Sequence, residues 1–202
     1  MVYASSAATY GNLPSPQTVG QESPENPYGF SKYIMDQIAI RYSLENPDLT
    51  IVGLRYFNVY GPREYYKGYT SSMVIQLGQQ ILDGKPPRLF NNSSQILRDF
   101  IYIDDVVQAN IKACLPKKNG IYNVGTGAPR NFQEIADILQ NELDTDLGTE
   151  YFTNPYDGYQ MNTKANILST SENLGFKPKF SLEKGIKAYI PEILRLHGND
   201  NS

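Results

Sequence analysis

The 202 residues, 40% hydrophobic and 19% charged, can bury a core of ordinary globular composition. A net charge of −3 offers no basic field to nucleic acid or anionic membrane, and no apolar run reaches membrane-spanning length. One cysteine, Cys114, excludes internal disulfides and one histidine, His197, excludes a His-rich metal site, so a reduced, cytoplasmic, metal-free protein is expected.

Val2–Ser6 reads as a short strand that breaks into a loop over 7–11, followed by a polar, Pro-containing loop to Glu25. Asn26-Pro27 is a helix start, with Asn as N-cap and Pro in the first turn. Ile34, Ile38 and Tyr42 at four-residue spacing carry that helix to about Leu44. Thr50–Tyr56 is rich in strand formers, and Asn58–Gly68 is rich in turn residues. Met73, Val74, Leu77, Ile81 and Leu82 mark an amphipathic helix closed by Asp83-Gly84. Short strands are expected at Arg88–Phe90, Arg98–Ile103 and Ile121–Val124. Asp104 or Asp105 is expected to cap a helix carrying Val106, Val107, Ala109 and Ile111. Asn131 caps a helix through Leu143, and Ser181 opens a last helix that Pro191 should kink.

This order predicts an α/β fold: the C-terminal part of a doubly wound parallel sheet plus a small α/β substrate-binding domain. The expected division is 1–62 for the Rossmann-like part and 63–202 mainly for the substrate domain, with some segments returning to the sheet. A doubly wound sheet calls for strands before Val2, so an incomplete sheet domain is expected.

Sixteen Tyr and no Trp, with many Tyr beside Gly, Pro, Asn or Lys, suit polar pockets for sugars or nucleotides; semi-exposed packing explains any one of them equally well. Tyr28 and Lys32 stand four apart at a helix start and leave the same face. A free phenol, with a pKa near ~10, is a poor base at neutral pH, and a nearby ammonium favours the phenolate. Such a pair suits acid/base work on a substrate hydroxyl while hydride moves to a nicotinamide. Roughly one Tyr–Lys pair at this spacing arises by chance, so the spacing alone decides nothing.

Its surroundings decide more. Ala4-Ser5-Ser6-Ala7-Ala8-Thr9-Tyr10-Gly11, Tyr28 to Lys32, Arg55-Tyr56-Phe57-Asn58-Val59-Tyr60-Gly61-Pro62-Arg63 and Arg98-Asp99-Phe100-Ile101-Tyr102-Ile103-Asp104-Asp105 together resemble the extended short-chain dehydrogenase/reductase family. The resemblance runs from Val2 to about Leu194. It implies that Ser6 shares the reacting oxygen with Tyr28, that Asn58 binds substrate and Val59 the cofactor, and that Arg98 meets a nucleotide diphosphate. A surface ion pair with Asp99 or Asp104 is the plainer reading of Arg98.

Within the family, Pro62-Arg63-Glu64-Tyr65-Tyr66-Lys67-Gly68 is similar to the branch that epimerises ADP-heptose at position 6 for the lipopolysaccharide core. That likeness implies Lys67 as a second base, also near the cofactor, on the face opposite Tyr28. It implies NADP (or NAD) as cofactor, an ADP-sugar as substrate and a homopentamer as assembly. Tyr69, Gln76, Phe90, Asn91, Asn92, Ser93 and Tyr159 fall where that branch holds the ADP-sugar. Tyr69, Gln76, Asn91 and Asn92 depart from the residues usual there. A solvated loop lysine is the plainer reading of Lys67.

Gly125-Thr126-Gly127 after a strand imitates a dinucleotide loop, but Arg130 occupies the third glycine position, and no other Gly-rich phosphate loop occurs in the 202 residues. Cofactor binding is therefore implied by the resemblance. Two alternatives stay open: a 4-epimerase or 4,6-dehydratase of nucleotide sugars, with Gly11-Asn12-Leu13-Pro14 arguing mildly against the dehydratase, or a fragment that binds sugar nucleotide, or nothing, without catalysis.

Overall fold

The computed structural model describes residues 1–155 and 160–200. Its centre is a parallel three-stranded sheet. Val2–Ser6 (β1) pairs with Val52–Tyr56 (β2), which pairs with Gly120–Val124 (β7). The third strand thus comes from beyond residue 62, a return of the later chain to the sheet. Short ribbons surround it: Asn58–Tyr60 (β3) runs parallel to Phe100–Tyr102 (β6), and Arg88–Phe90 (β4) parallel to Glu150–Phe152 (β9). Leu97–Arg98 (β5) runs antiparallel to Arg130–Asn131 (β8).

Alternation along the strands sorts the side chains to two faces. Val52, Leu54, Tyr122 and Val124 form an apolar core with Val106 and Ala109 of Ile103–Ala113 (α3) and Leu174 of Leu168–Leu174 (α5). Tyr3, Ser5 and Arg55 point to the other face, beneath Pro27–Glu45 (α1). There Gly53 leaves room for the ring of Tyr3, whose Oη would lie 2.4 Å from any Cβ. A separate apolar core joins Met73–Leu82 (α2), Phe132–Glu142 (α4) and Leu182–Asp200 (α6) through Val74, Leu77, Ile135, Leu139, Ile186 and Ile193.

Local signals are met where expected. The Asn26 side chain accepts from Gly29 N–H at 2.8 Å, and Asn131 forms a capping box with Glu134. Gly84 takes φ +73° after α2. Four expectations need correction. Asn58–Tyr60 is strand, because β6 supplies the partner that its turn-like composition concealed. Arg98–Ile103 is broken at Asp99 into β5 and β6, and Ile103 already begins α3. Neither Asp104 nor Asp105 caps α3: its N-cap is Tyr102, and the Asp105 carboxylate instead accepts the Lys179 and Phe180 N–H groups at 2.9–3.0 Å. The loop expected over 7–11 is the 3-10 turn Ala7–Tyr10, capped by the Ser6 side chain.

Helix α1 is the larger surprise. Its apolar stripe is not its sheet-facing side: Ile34, Ile38 and Tyr42 are 40%, 63% and 50% exposed, whereas Gly29, Asp36 and Ala39 are buried. The helix meets the sheet with small residues and one carboxylate. Asp36 lies within 2.9 Å of Arg55 Nε and 2.8 Å of its Nη2, and it accepts hydrogen bonds from Tyr3 and Ser5. Arg55 Nη1 reaches Glu22 at 2.5 Å, and its guanidinium lies 4.9 Å from the Tyr10 ring centroid. Burial works against the Arg55 charge, but Tyr10, Glu22 and Asp36 outweigh it and hold the guanidinium protonated.

Burial also raises the pKa of Glu22, yet hydrogen bonds from the Gly20 N–H and from Arg55 leave it below the ordinary carboxylate value. A carboxylate with a depressed folded pKa contributes stability that is complete above its unfolded pKa and is lost as pH falls through the folded one. Urea unfolding of Glu22→Gln is therefore expected to show a shallower loss of stability than wild type below about pH 5. Equal acid slopes in the two proteins would remove Glu22 from this account.

Candidate active site

Four segments converge on one cavity of about 520 Å³ at the carboxyl end of β1 and β2. Ser6 ends β1, and its Oγ accepts the Ala8 N–H at 3.1 Å, capping the short 3-10 turn Ala7–Tyr10. Tyr28 stands in the first turn of α1, 57% exposed, with its side chain on the cavity wall. Gly29 beside it lets α1 lie against that turn: a Cβ there would meet the Ala8 carbonyl oxygen at 2.4 Å. Asn58 and Val59 follow β2 and line the same space. Lys67 reaches it from the 3-10 segment Tyr65–Thr70, together with Glu64, Thr70, Ser71 and Ser72 of that loop. Arg63, just before Glu64, has φ +73°, a left-handed backbone that costs a non-glycine residue about 1–2 kcal/mol.

Lys32 does not line the cavity. It stands behind Tyr28, its Nζ 5.9 Å from the phenol ring centroid and donating to the Ala4 carbonyl at 3.0 Å. Arg98 is buried on the far wall, its guanidinium 5.9 Å from the Phe132 ring centroid and donating to the Leu97 and Gln160 carbonyls. Asp99 next to it serves another purpose. Its carboxylate accepts the Thr126 N–H and hydroxyl at 2.6 Å, the Gly127 N–H at 2.8 Å and the Ala165 N–H at 2.9 Å. The Gly125-Thr126-Gly127 loop therefore spends its N–H groups on an internal anion, and they do not face a dinucleotide phosphate.

Met73 and Phe132 are shared with a second cavity of about 320 Å³, lined also by Gln76, Gln80, Arg88, Phe90, Ser93 and Phe152. Phe90 and Phe152 meet edge to face at 5.0 Å, and Arg88 lies 5.1 Å from the Phe152 ring while pairing with Glu150. A polar chamber bearing titratable groups thus opens beside an aromatic one.

Of the residues expected in the site, the structure brings Ser6, Tyr28, Asn58, Val59, Lys67 and Arg98 to the first cavity and Gln76, Phe90 and Ser93 to the second. Asn91 and Asn92 line neither, and Tyr69 is fully exposed to solvent. Tyr159 lies outside the described residues. Glu64, Ser72, Phe132 and Phe152 were missed. The Phe132 signal was the N-cap position beside Asn131. Phe152 belongs to a three-residue strand with no local signature.

Tyr28 offers the cavity a half-exposed phenol with the Lys32 ammonium behind it, a pair suited to proton transfer at a substrate hydroxyl. Among the described residues no group of His, Cys, Asp and Glu could hold a metal ion, and no helix is long and apolar enough to cross a membrane.

The sequence profile of the NAD dependent epimerase/dehydratase family matches residues 1–125. Among solved structures, the chain is similar to ADP-L-glycero-D-manno-heptose-6-epimerase of Helicobacter pylori, with 46% identity and a TM-score of 0.86 over 96% of this chain and 59% of that one. UDP-glucose 4-epimerase of Thermotoga maritima, solved with UDP-glucose, is 29% identical with a TM-score of 0.85 over 96% of this chain and 63% of that one. UDP-glucuronic acid 4-epimerase of Bacillus cereus, solved with NAD, is 28% identical with a TM-score of 0.83 over 97% and 61%. The chain spans about three fifths of the length of these relatives. A profile matched over more than half of its residues, on a parallel sheet that ends in the Ser6 and Tyr28 cavity, places the chain plainly: it belongs to the NAD dependent epimerase/dehydratase family.

Proposed function

We propose that the chain forms the sugar-facing portion of a cytoplasmic epimerase that inverts position 6 of ADP-glycero-manno-heptose, a lipopolysaccharide precursor, with NADP or NAD as cofactor. The observation that carries this reading is the shared cavity: Tyr28 enters it from α1 and Lys67 from a separate loop. The 46% identity to a heptose 6-epimerase supports the choice of sugar. The paired cavities suit a bipartite ligand, with the aromatic chamber taking a nucleobase, the polar one the sugar, and Arg98 the diphosphate between them. Residues 1–62 are assigned to the cofactor domain and 63–202 mainly to the substrate domain, a division supported by the two separate apolar cores. A homopentameric assembly belongs to the same reading.

Inversion through a ketone requires hydride to leave one face of a carbon and return to the other. When bound, the nicotinamide supplies the acceptance and return of that hydride. Tyr28 takes the hydroxyl proton as the carbonyl forms, Ser6 holds the same oxygen, and Lys32 keeps the phenol oriented. Lys67 handles the proton on the opposite face. A one-base 4-epimerase, the reading favoured by the 28–29% relatives, would leave Lys67 without a role.

The 202 residues contain no Gly-rich turn to hold a pyrophosphate. Calorimetry of the chain alone with NADP is expected to show no micromolar binding; a micromolar isotherm would refute this. Turnover is best measured with the chain fused behind the N-terminal portion of its Helicobacter pylori relative. There Tyr28→Phe is expected to reduce epimerisation by ~10²–10⁴-fold with ADP-sugar binding retained. Wild-type turnover in that variant would exclude Tyr28 as the acid/base. Lys67→Met is expected to stop net inversion while the starting epimer still reduces the bound nicotinamide reversibly, with Tyr28 taking the hydroxyl proton, as transient nicotinamide absorbance would report. Full inversion at an undiminished rate would defeat the two-base scheme and, with it, the choice of position 6 over position 4.

A further inference from the structure

A glutamate in a surface loop is ordinarily solvated. Glu64 is 4% exposed, although the six residues that follow it contribute nothing to the core. Its carboxylate accepts the Gly61 N–H at 3.3 Å on one side, and the Ser72 N–H and Ser72 hydroxyl, both at 2.7 Å, on the other. Residues 61 and 72 are the two ends of the loop that carries Lys67. Ser72 is also the N-cap of α2, yet its own side chain does not cap the helix. The carboxylate binds this N-cap residue, at the end of the helix where the dipole favours an anion. Tyr189 of α6, fully buried, faces the same group: burial raises its pKa and Glu64 raises it further. One side chain therefore joins the two ends of one loop, after β3 and before α2.

Between those ends the loop is held only lightly. The Lys67 N–H donates to the Glu64 carbonyl at 3.0 Å, Thr70 Oγ to the Lys67 carbonyl at 2.9 Å, and Gln76 Nε2 to the Ser71 carbonyl at 2.7 Å. Tyr65, Tyr66 and Tyr69 stay exposed. None of Tyr65–Thr70 is buried, so the span between its ends sets the height of this arch above the cavity.

We propose that Glu64 is a positioning residue, the clasp that fixes the span of the loop and thereby how far Lys67 reaches into the cavity. Its relevance to catalysis rests on the reading of Lys67 as a second base; the clasp itself rests on the contacts of Glu64.

The test uses the 202-residue chain without substrate. Amide hydrogen exchange is followed by NMR, and Lys67 is observed as its ¹³C-dimethylated amine, assigned with Lys67→Arg. In Glu64→Ala the Gly61 and Ser72 amides are expected to exchange at least about tenfold faster, as loss of a hydrogen bond to a charged group implies. Amides of β2 and β7 should keep their rates. The Lys67 resonance should shift from its wild-type position, and Glu64→Gln, which keeps an oxygen acceptor, should restore it partway. If Glu64→Ala does not fold, Ser72→Ala replaces it, with a smaller shift expected in the same direction. An unmoved Lys67 resonance would overturn the proposal, as would exchange that rises uniformly along the chain, the mark of a general stabiliser. Because neither readout needs turnover, a chain that behaves as expected here but converts no ADP-heptose when fused behind that N-terminal portion overturns the functional reading and leaves the clasp standing.

Discussion

The buried contact between Arg55 and Asp36 is the constraint on which the arrangement of the site depends. Both side chains are fully removed from solvent. Taking two charges out of water costs several kcal/mol per ion, which their attraction offsets only when geometry is good and the remaining polar atoms are satisfied. Here Asp36 receives two arginine nitrogens and two hydroxyls, and Arg55 extends to Glu22 and lies beside the Tyr10 ring. A well-packed apolar pair of the same volume could stabilise the fold as well or better. What the ionic pair adds is register. Asp36 lies one helical turn beyond Lys32 and two beyond Tyr28. A pair that tolerates only one geometry holds Tyr28 over the end of β1, where Ser6 sits.

The same device recurs wherever irregular chain must be held. Asp99 gathers the N–H groups of Thr126, Gly127 and Ala165, Asp105 those of Lys179 and Phe180, and Glu64 those of Gly61 and Ser72. In each case a buried carboxylate supplies acceptors to main-chain donors that no helix or ladder satisfies. An unpaired buried N–H costs about as much as a lost hydrogen bond. The acids thus let the loops of the site be irregular and defined at once. Two of these three acids lie in stretches that also carry residues assigned to the chemistry, Glu64 in the loop of Lys67 and Asp99 beside Arg98, as Asp36 does on the helix of Tyr28.

What the sequence disclosed follows from how far apart the interacting residues lie. Asn26 with Pro27 and Asn131 with Glu134 are caps formed within three residues, and they could be read directly. Ser6, Tyr28, Asn58 and Lys67 were legible only as a pattern of types in order, and it is the fold that gathers them around one cavity. β3 was hidden because its three residues are strand only in the presence of β6, forty positions later. Glu64 looked like a solvated loop residue because Ser72 and Tyr189, which bury it, lie eight and 125 positions away. Periodicity located the apolar stripe of α1 but could not say which side would meet the sheet, and a single aspartate on the opposite side decided that.

These separations bear on how a two-faced reaction is supported. Ligands of open α/β sheets sit beyond the carboxyl ends of the strands, and this cavity does so. Tyr28 hangs from α1, fixed by Asp36 to the sheet; Lys67 hangs from a loop fixed by Glu64 to the start of α2. The two supports draw on different cores, one beneath the sheet and one among the helices. In the two-base scheme that independence matters, because each base must meet its own face of one carbon, and an error of ~1 Å in either costs on the order of 10²-fold in rate. Anchoring both groups on a single element would let any shift of that element displace them together. With separate anchors, the distance across the cavity depends on the packing of one core against the other and on the span of the Lys67 loop, so each base is adjusted without displacing its partner.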